Sequence, residues 1–236
     1  MFEYIILIPY RNREKHLAEF IRDAIPLFEK HMKSFKIVII EQEQGTLFNR
    51  GKLLNIGFHE YKHLGNVFFN HDIDIIPTEK AIQEIYLNQC DQPLKGFVGL
   101  LNSSCNTLGG IIKFDNDTFI KSNGFPNNFW GWGVEDKALQ NRAEYFNIPI
   151  TKNITEKSQN LSEYFNIKND IDDRQKDVRF GIFPTRTSFE YDMFKTLPRD
   201  KQMQYIMFSG VNNIEYTLLE RIQLHYHIDL IKVKIS

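Results

Sequence analysis

The 236 residues are 42% hydrophobic and 25% charged, with a formal net charge of −1. That balance excludes a disordered chain and offers no overall basic charge for holding nucleic acid. No run approaches the about 20 apolar residues of a membrane span, and the opening "MFEYIILIPY" lacks the basic start of a signal peptide. A cytoplasmic protein, or the soluble part of a longer chain, is therefore expected. Cys90 and Cys105, the only cysteines, allow a disulfide, but two free thiols in a reducing compartment is the favoured reading.

"YIILIP" (4–9) is a continuous apolar run and predicts a buried strand stopped by Pro9. Leu17, Phe20, Ile21, Ala24 and Phe28 then follow at helical spacing, with Asn12 placed to cap the helix and Pro26 to kink or end it. "FKIVIIEQ" (35–42) predicts a second buried strand, "GKLLNIGFHEYKH" an amphipathic helix, and "NVFFNHDIDIIP" (66–77) a third strand. The alternation of strand and helix argues for an α/β fold with parallel strands. "GGIIKFDNDTFIKSNGF" predicts a strand, a turn and a short helix, and residues 134–147 a further helix. Residues 151–177 are polar without a strong period and read as a mobile loop region. "IEYTLLERIQLHYHIDLIKVKI" predicts one or two late strands. No repeat and no linker divides the chain, so one domain is expected.

Three candidate constellations fall where these strands end. In an extended "HDIDIIP", Asp72 and Asp74 share one side, a hard oxygen site suited to Mg²⁺ or Mn²⁺ at the carboxyl end of a strand. Arg11 and Arg13 precede a helix, where guanidinium groups clamp a diphosphate, and Phe48 with Arg50 could hold a base and a phosphate. The fourth stretch is "WGWGVEDKAL" (130–139), which contains the only two tryptophans. Trp130 or Trp132 can stack on a sugar face, and Glu135 and Asp136 can bond its hydroxyl rim. The glycines let the loop bend, and one carboxylate beside an acceptor hydroxyl can act as general base. Each motif also has a plain structural reading: a solvated acidic turn, a basic loop, a packing staple, or core tryptophans before an acidic helix start.

"IPYRNR", "FNRGKLLNIGF", "HDIDIIP", "GGIIKF" and "NGFPNNFWGWGVED", with a following "NR", occur in this order. In these motifs the chain resembles the β-1,4-galactosyltransferase family, glycosyltransferase family 7, across residues 4–148 and more loosely near "SGVNNIEYTLLE". The resemblance implies a GT-A-like fold, an open, mostly parallel central sheet with flanking helices. It would form a single domain over 1–236, with 1–120 mainly for nucleotide-sugar and metal and 121–236 mainly on the acceptor side. It implies an inverting, Mn²⁺-dependent hexosyl transfer, with Mg²⁺ as the alternative ion, from UDP-galactose or UDP-N-acetylgalactosamine to a carbohydrate acceptor.

Carried over by motif, Pro9, Arg11, Arg13, Phe48 and Arg50 contact the UDP, and Asp72 and Ile73 lie at the nucleotide and donor sugar. Thr107 and Gly110 belong to the donor side. Asp74 is the metal ligand. Trp132 belongs to a closing loop, Glu135 and Asp136 hold the acceptor, and Asp136 is the catalytic base. Three departures stand out. Lys137 replaces a further acid. Thr107 replaces a tyrosine, leaving space for an N-acetyl group. The histidine that ligates the metal in the family is missing, which leaves His225 or His227, or Glu156, Glu163 or Asp170, as substitutes. His71 is expected to be structural. The missing histidine favours one alternative from another class: a sugar-nucleotide or glycan-binding module that has lost catalysis. Retention of both Asp74 and Asp136 argues against it.

Overall fold

A computed structural model of the chain describes residues 1–88, 94–102, 107–131, 133–168 and 193–236. The first half forms β1 (Phe2–Tyr10), α1 (Glu14–Asp23), α2 (Ile25–His31), β2 (Phe35–Gln42), α3 (Arg50–Tyr61), β3 (Gly65–His71) and β4 (Ile75–Pro77), then α4 (Glu79–Ala81) running into a π-helical turn at Ile82–Tyr86. The second half forms β5 (Phe97–Asn102), β6 (Ile111–Asp115), α5 (Asn116–Ser122), α6 (Glu135–Tyr145), β7 (Ile150–Thr155), α7 (Leu161–Tyr164), β8 (Phe165–Ile167), α8 (Arg199–Phe208), a 3₁₀ turn at Val211–Asn213, β9 (Thr217–His225) and β10 (Ile228–Lys234). Cys90, Cys105, Trp132 and Asp170 lie outside the described residues.

Eight strands make one sheet in the order β7-β5-β6-β3-β1-β2-β10-β9, and β4 pairs with β8 apart from it. The pairings of β1 with β2, β1 with β3, β2 with β10 and β5 with β7 are parallel; those of β6 with β3, β6 with β5 and β9 with β10 are antiparallel. β1 and β2 are apolar and β-branched along their length because helices cover both faces. Phe20 of α1 and Phe28 of α2 pack on one face, while Leu53, Phe58 and Leu139 of α3 and α6 pack on the other. The chain leaves β1 toward β2 on one side and reaches β3 on the other. The strand order therefore reverses at β1, and open α/β sheets bind ligands in the crevice outside the carboxyl ends at such a point.

Several expectations need correction. Pro9 does not end β1, which runs to Tyr10. The ladder to β3 stops at Leu7, so only the β2 side remains paired at Pro9. Asn12 does not cap α1: it adopts φ 52°, and the N-cap is Arg13, without a side-chain bond. Pro26 does split the helix, sitting in the first turn of α2 where its missing N–H costs nothing. α3 is not amphipathic in practice; Gly51 through Phe58 are all buried. The stretch 151–177 is structured through residue 168, where β7 extends the sheet edge and β8 pairs with β4. Both late strands form, and the β9–β10 register shifts twice.

Candidate active site

Three loops at the carboxyl edge carry the predicted groups. After β1, the Arg11 guanidinium donates to the Thr46 carbonyl at 2.7 Å and lies 5.3 Å from the Phe48 ring centroid. Arg13 donates to Asp74 Oδ2 at 3.1 Å. After β2, Asn49 caps α3 by accepting the Lys52 N–H at 2.9 Å, which fixes Phe48 and Arg50 on either side of it. After β3, the chain turns: the Ile75 N–H reaches the Asp72 carbonyl. Asp72 and Asp74 therefore do not share a strand face as expected. Asp72 accepts from Arg50 Nε at 2.7 Å, while Asp74 meets Arg13. Ile73 and Pro9 are buried, Ile73 among the core side chains.

The second acidic pair comes from across the crevice. Glu135 and Asp136 are the first two residues of α6, where a helix start favours negative charge. Arg50 Nη1 donates to Asp136 Oδ1 at 2.8 Å and lies 3.8 Å from Glu135 Oε1. One guanidinium thus joins the end of β3 to the start of α6. The turn into α6 is tight, with Gly131, Gly133 and Val134 all at positive φ. Val134, at 63°, is β-branched and strained there.

Two glycines shape the remaining wall. Gly110 has φ +77°, and a Cβ there would stand 2.7 Å from the Leu101 carbonyl oxygen. A Cβ on Gly109 would stand 2.1 Å from Asp136 Oδ2. Thr107 is buried beside them.

The charges interact strongly. Burial raises the Asp136 pKa well above the ordinary carboxylate value; Arg50 pulls it down, while Glu135 and Asp72 push it up again. Burial raises Glu135 as well, against the pull of Arg50. Burial alone would weaken the charge on Arg50, but Asp72, Asp136 and Glu135 outweigh it and raise its pKa. His71 is wholly buried, and burial lowers its pKa to about 4. Its ring bonds the Tyr86 hydroxyl and the Asp72 carbonyl, in keeping with the structural role expected of it.

His225 and His227 are not brought to Asp74. His225 ends β9, and His227 sits in the turn before β10, stacked on Phe35 at 4.2 Å with Nδ1 against the Phe35 carbonyl. Phe35 begins β2, so this is the opposite edge of a parallel ladder from Asp74. Glu156 follows β7, its N–H on the Asn102 carbonyl, and Glu163 pairs with Lys80 on the surface. Trp130 is half-buried and packs against the core.

The sequence reading missed Gly109, although the Gly-Gly pair was in view. It also missed Asn49, Asn55 and Asn127, whose side chains cross-link distant segments. Asn49 before a helix start and Asn127 after Pro126 read as turn residues, and Asn55 within a helix reads as a solvent-facing position, so pattern alone gave no sign of their reach.

The open, mostly parallel sheet with helices on both faces is a GT-A-like fold. Residues 2–90 match the family described as the N-terminal region of glycosyl transferase group 7, and residues 98–168 match the N-terminal domain of galactosyltransferase. Human β-1,4-galactosyltransferase 4 is 36% identical over 159 residues, 64% of this chain and 45% of the relative. Mouse β-1,4-galactosyltransferase 6 is 31% identical over 236 residues, 95% of this chain and 56% of the relative. The chain thus spans about half the length of these relatives. A Drosophila β-1,4-galactosyltransferase 7 mutant, solved with manganese, UDP-Gal and xylobiose, superimposes with a TM-score of 0.75 at 18% identity, covering 100% of this chain and 95% of that one. The chain belongs to glycosyltransferase group 7, the family of the β-1,4-galactosyltransferases.

Proposed function

We propose that the chain transfers galactose from UDP-galactose to a hydroxyl of a carbohydrate acceptor, with inversion at the anomeric carbon. The observation that carries this reading is the Arg50 bridge between Asp72 and Asp136. It sets the acids of the β3 end and of the α6 start on one guanidinium, with the Arg11 and Phe48 pair and the Arg13 and Asp74 pair following the neighbouring strands. Family membership supports the donor, and the manganese, UDP-Gal and xylobiose bound by the Drosophila relative support the ion and the acceptor class.

Asp136 accepts the proton of the acceptor hydroxyl as that oxygen attacks the anomeric carbon. The bond from that carbon to the diphosphate oxygen breaks, and UDP leaves from the opposite face. Arg11 and Arg13 face the departing charge. Glu135 holds an acceptor hydroxyl, and the glycine-rich turn that carries Trp132 covers the sugars.

Among the described residues, no three His, Cys, Asp or Glu side chains form a self-contained metal cage. The Asp74 carboxylate, 6% exposed, instead suits a hard cation that takes its other oxygens from a diphosphate and water. Asp74 would hold that cation. When bound, the cation neutralises the diphosphate and improves it as a leaving group. Asp74→Ala is expected to weaken Mn²⁺-dependent UDP binding by about 10-fold or more, to the level of wild-type protein in EDTA. Titration calorimetry with unchanged affinity would remove Asp74 as the ligand.

Thr107 is smaller than the tyrosine that the family carries there, which keeps UDP-N-acetylgalactosamine as the alternative donor beside UDP-galactose. Thr107→Tyr should then lower its use relative to UDP-galactose by about 10-fold, the discrimination that filling a pocket gives. An unchanged donor ratio rejects the N-acetyl reading. For the reaction as a whole, UDP release is followed with Mn²⁺, each donor and a panel of saccharide acceptors. Turnover with an inverted product supports transfer. UDP-sugar binding without any UDP release would make the chain a binding module instead.

A further inference from the structure

Two motifs of the sequence have no part in the chemistry above: "NR" at 141–142 and "SGVNN" at 209–213. Both converge on the segment that leads into the glycine-rich turn. Arg142, 2% exposed, donates to the carbonyls of Asn123 and Gly124 at 3.0 Å each and to that of Ser209 at 2.6 Å. It locks α6, residues 123–124 and residue 209 into one block.

Asn127 then uses every polar group it has, each on a different residue. Its N–H donates to Ser209 Oγ at 2.7 Å, and its Nδ2 donates to the Gly210 carbonyl at 2.8 Å. Its Oδ1 accepts from Asn55 Nδ2 at 2.9 Å, and its carbonyl accepts from Asn49 Nδ2 at 2.8 Å. Asn49 stands between Phe48 and Arg50. Four residues further along, the Gly131 N–H donates to the Phe48 carbonyl at 2.7 Å. The root of the turn is therefore pinned on one side to the Ser209–Gly210 strap and on the other to the segment that carries Phe48 and Arg50.

We propose that Asn127 is a positioning residue for transfer: it holds Trp130 and Gly131 against the Phe48–Arg50 segment, and so sets where Asp136 meets Arg50. This rests on the transferase reading for its kinetic arm but not for its spectroscopic one. Asn127 touches no reacting atom in this account, and its effect passes through backbone placement. A misplacement of about 1 Å far from the chemistry can lower a rate 100-fold.

The test uses Asn127→Ala, with Ser209→Ala as a milder variant that removes one acceptor from the same knot. Asn116→Ala is the control; Asn116 also bonds two carbonyls, those of Lys62 and Gly65, away from this segment. For Asn127→Ala, kcat is expected to fall at least about 10-fold, while the UDP affinity with Mn²⁺ stays within about twofold, as expected when only transition-state contacts are lost. Ser209→Ala should shift in the same direction by less, and Asn116→Ala should keep kcat. The only tryptophans, Trp130 and Trp132, make emission a direct reporter. Acrylamide quenching should rise in Asn127→Ala and not in Asn116→Ala.

Unchanged kcat, a matching loss in the control, or UDP affinity falling in step with kcat would overturn the proposal. If wild-type protein transfers no sugar, the transferase reading fails, and quenching decides the role of Asn127 by itself: unchanged quenching rejects it. If Asn127→Ala does not fold, the same readings on Ser209→Ala decide.

Discussion

Asp136→Asn is expected to lower turnover by about 10²- to 10⁴-fold, the range that general-base catalysis supplies. UDP affinity should be nearly unchanged, because the base role assigns Asp136 to the acceptor and not to the UDP. The pH dependence gives a second reading. Burial raises the Asp136 pKa, so its proton is lost only above the ordinary carboxylate range. The acid limb of kcat/KM in the wild type should therefore lie above that range, and the residual activity of the variant should lack it. The sign of the stability effect follows. A carboxyl whose folded pKa is raised favours folding while protonated, and that contribution is lost as pH rises through the raised value. Above the raised value the ionised acid is thus a cost to the fold, and there Asp136→Asn should melt no lower than wild type. Normal turnover in the variant would remove Asp136 as the base, and a marked drop in melting temperature would contradict the electrostatic account.

Gly109→Ala should approach the same loss of turnover without touching a charged residue. The backbone at Gly109 is not in the left-handed region, so alanine is conformationally allowed there. What it lacks is space: the new methyl would stand 2.1 Å from Asp136 Oδ2. That atom is the end of a side chain, so the carboxylate gives way before the backbone does. A displacement of this size predicts a rate loss of about 100-fold with a folded protein and intact UDP binding. Thermal melting, UDP calorimetry and steady-state kinetics on the one variant check all three. Retained activity would mean that Asp136 has more freedom than the structure shows.

The strands that flank the switch point were legible because burial on both faces leaves a plain signature. "YIILIP" and "FKIVIIEQ" carry almost no polar interruption. β7, "ITKNIT", escaped the same reading although four of its six residues are β-branched: it is a short, mostly half-exposed edge strand with Lys152 and Asn153 at its centre and a long polar stretch after it. α3 was legible as a helix but not as a buried one, since Lys52 and Asn55 look like a solvent face until their long-range bonds are seen. The site was readable as three strand-end motifs plus an acidic helix start. How they meet was not. Arg50 looked like one more phosphate-binding cation, because nothing local says that α6 returns to cover it. The Asp72 and Asp74 pair was misjudged for the opposite reason: an extended chain was assumed where the Ile75 N–H closes a turn. His225 and His227 stand as candidates only because a family histidine is missing, and residue type alone cannot tell one edge of a sheet from the other.

The shared guanidinium ties two distant parts of the chain to one charge. Asp72 and Asp136 are remote in the chain, yet each depends on the same partner for its charge balance. Loss of Arg50 would leave two partly buried carboxylates without their common counter-ion. Arg50 therefore carries the charge balance of both ends of the crevice.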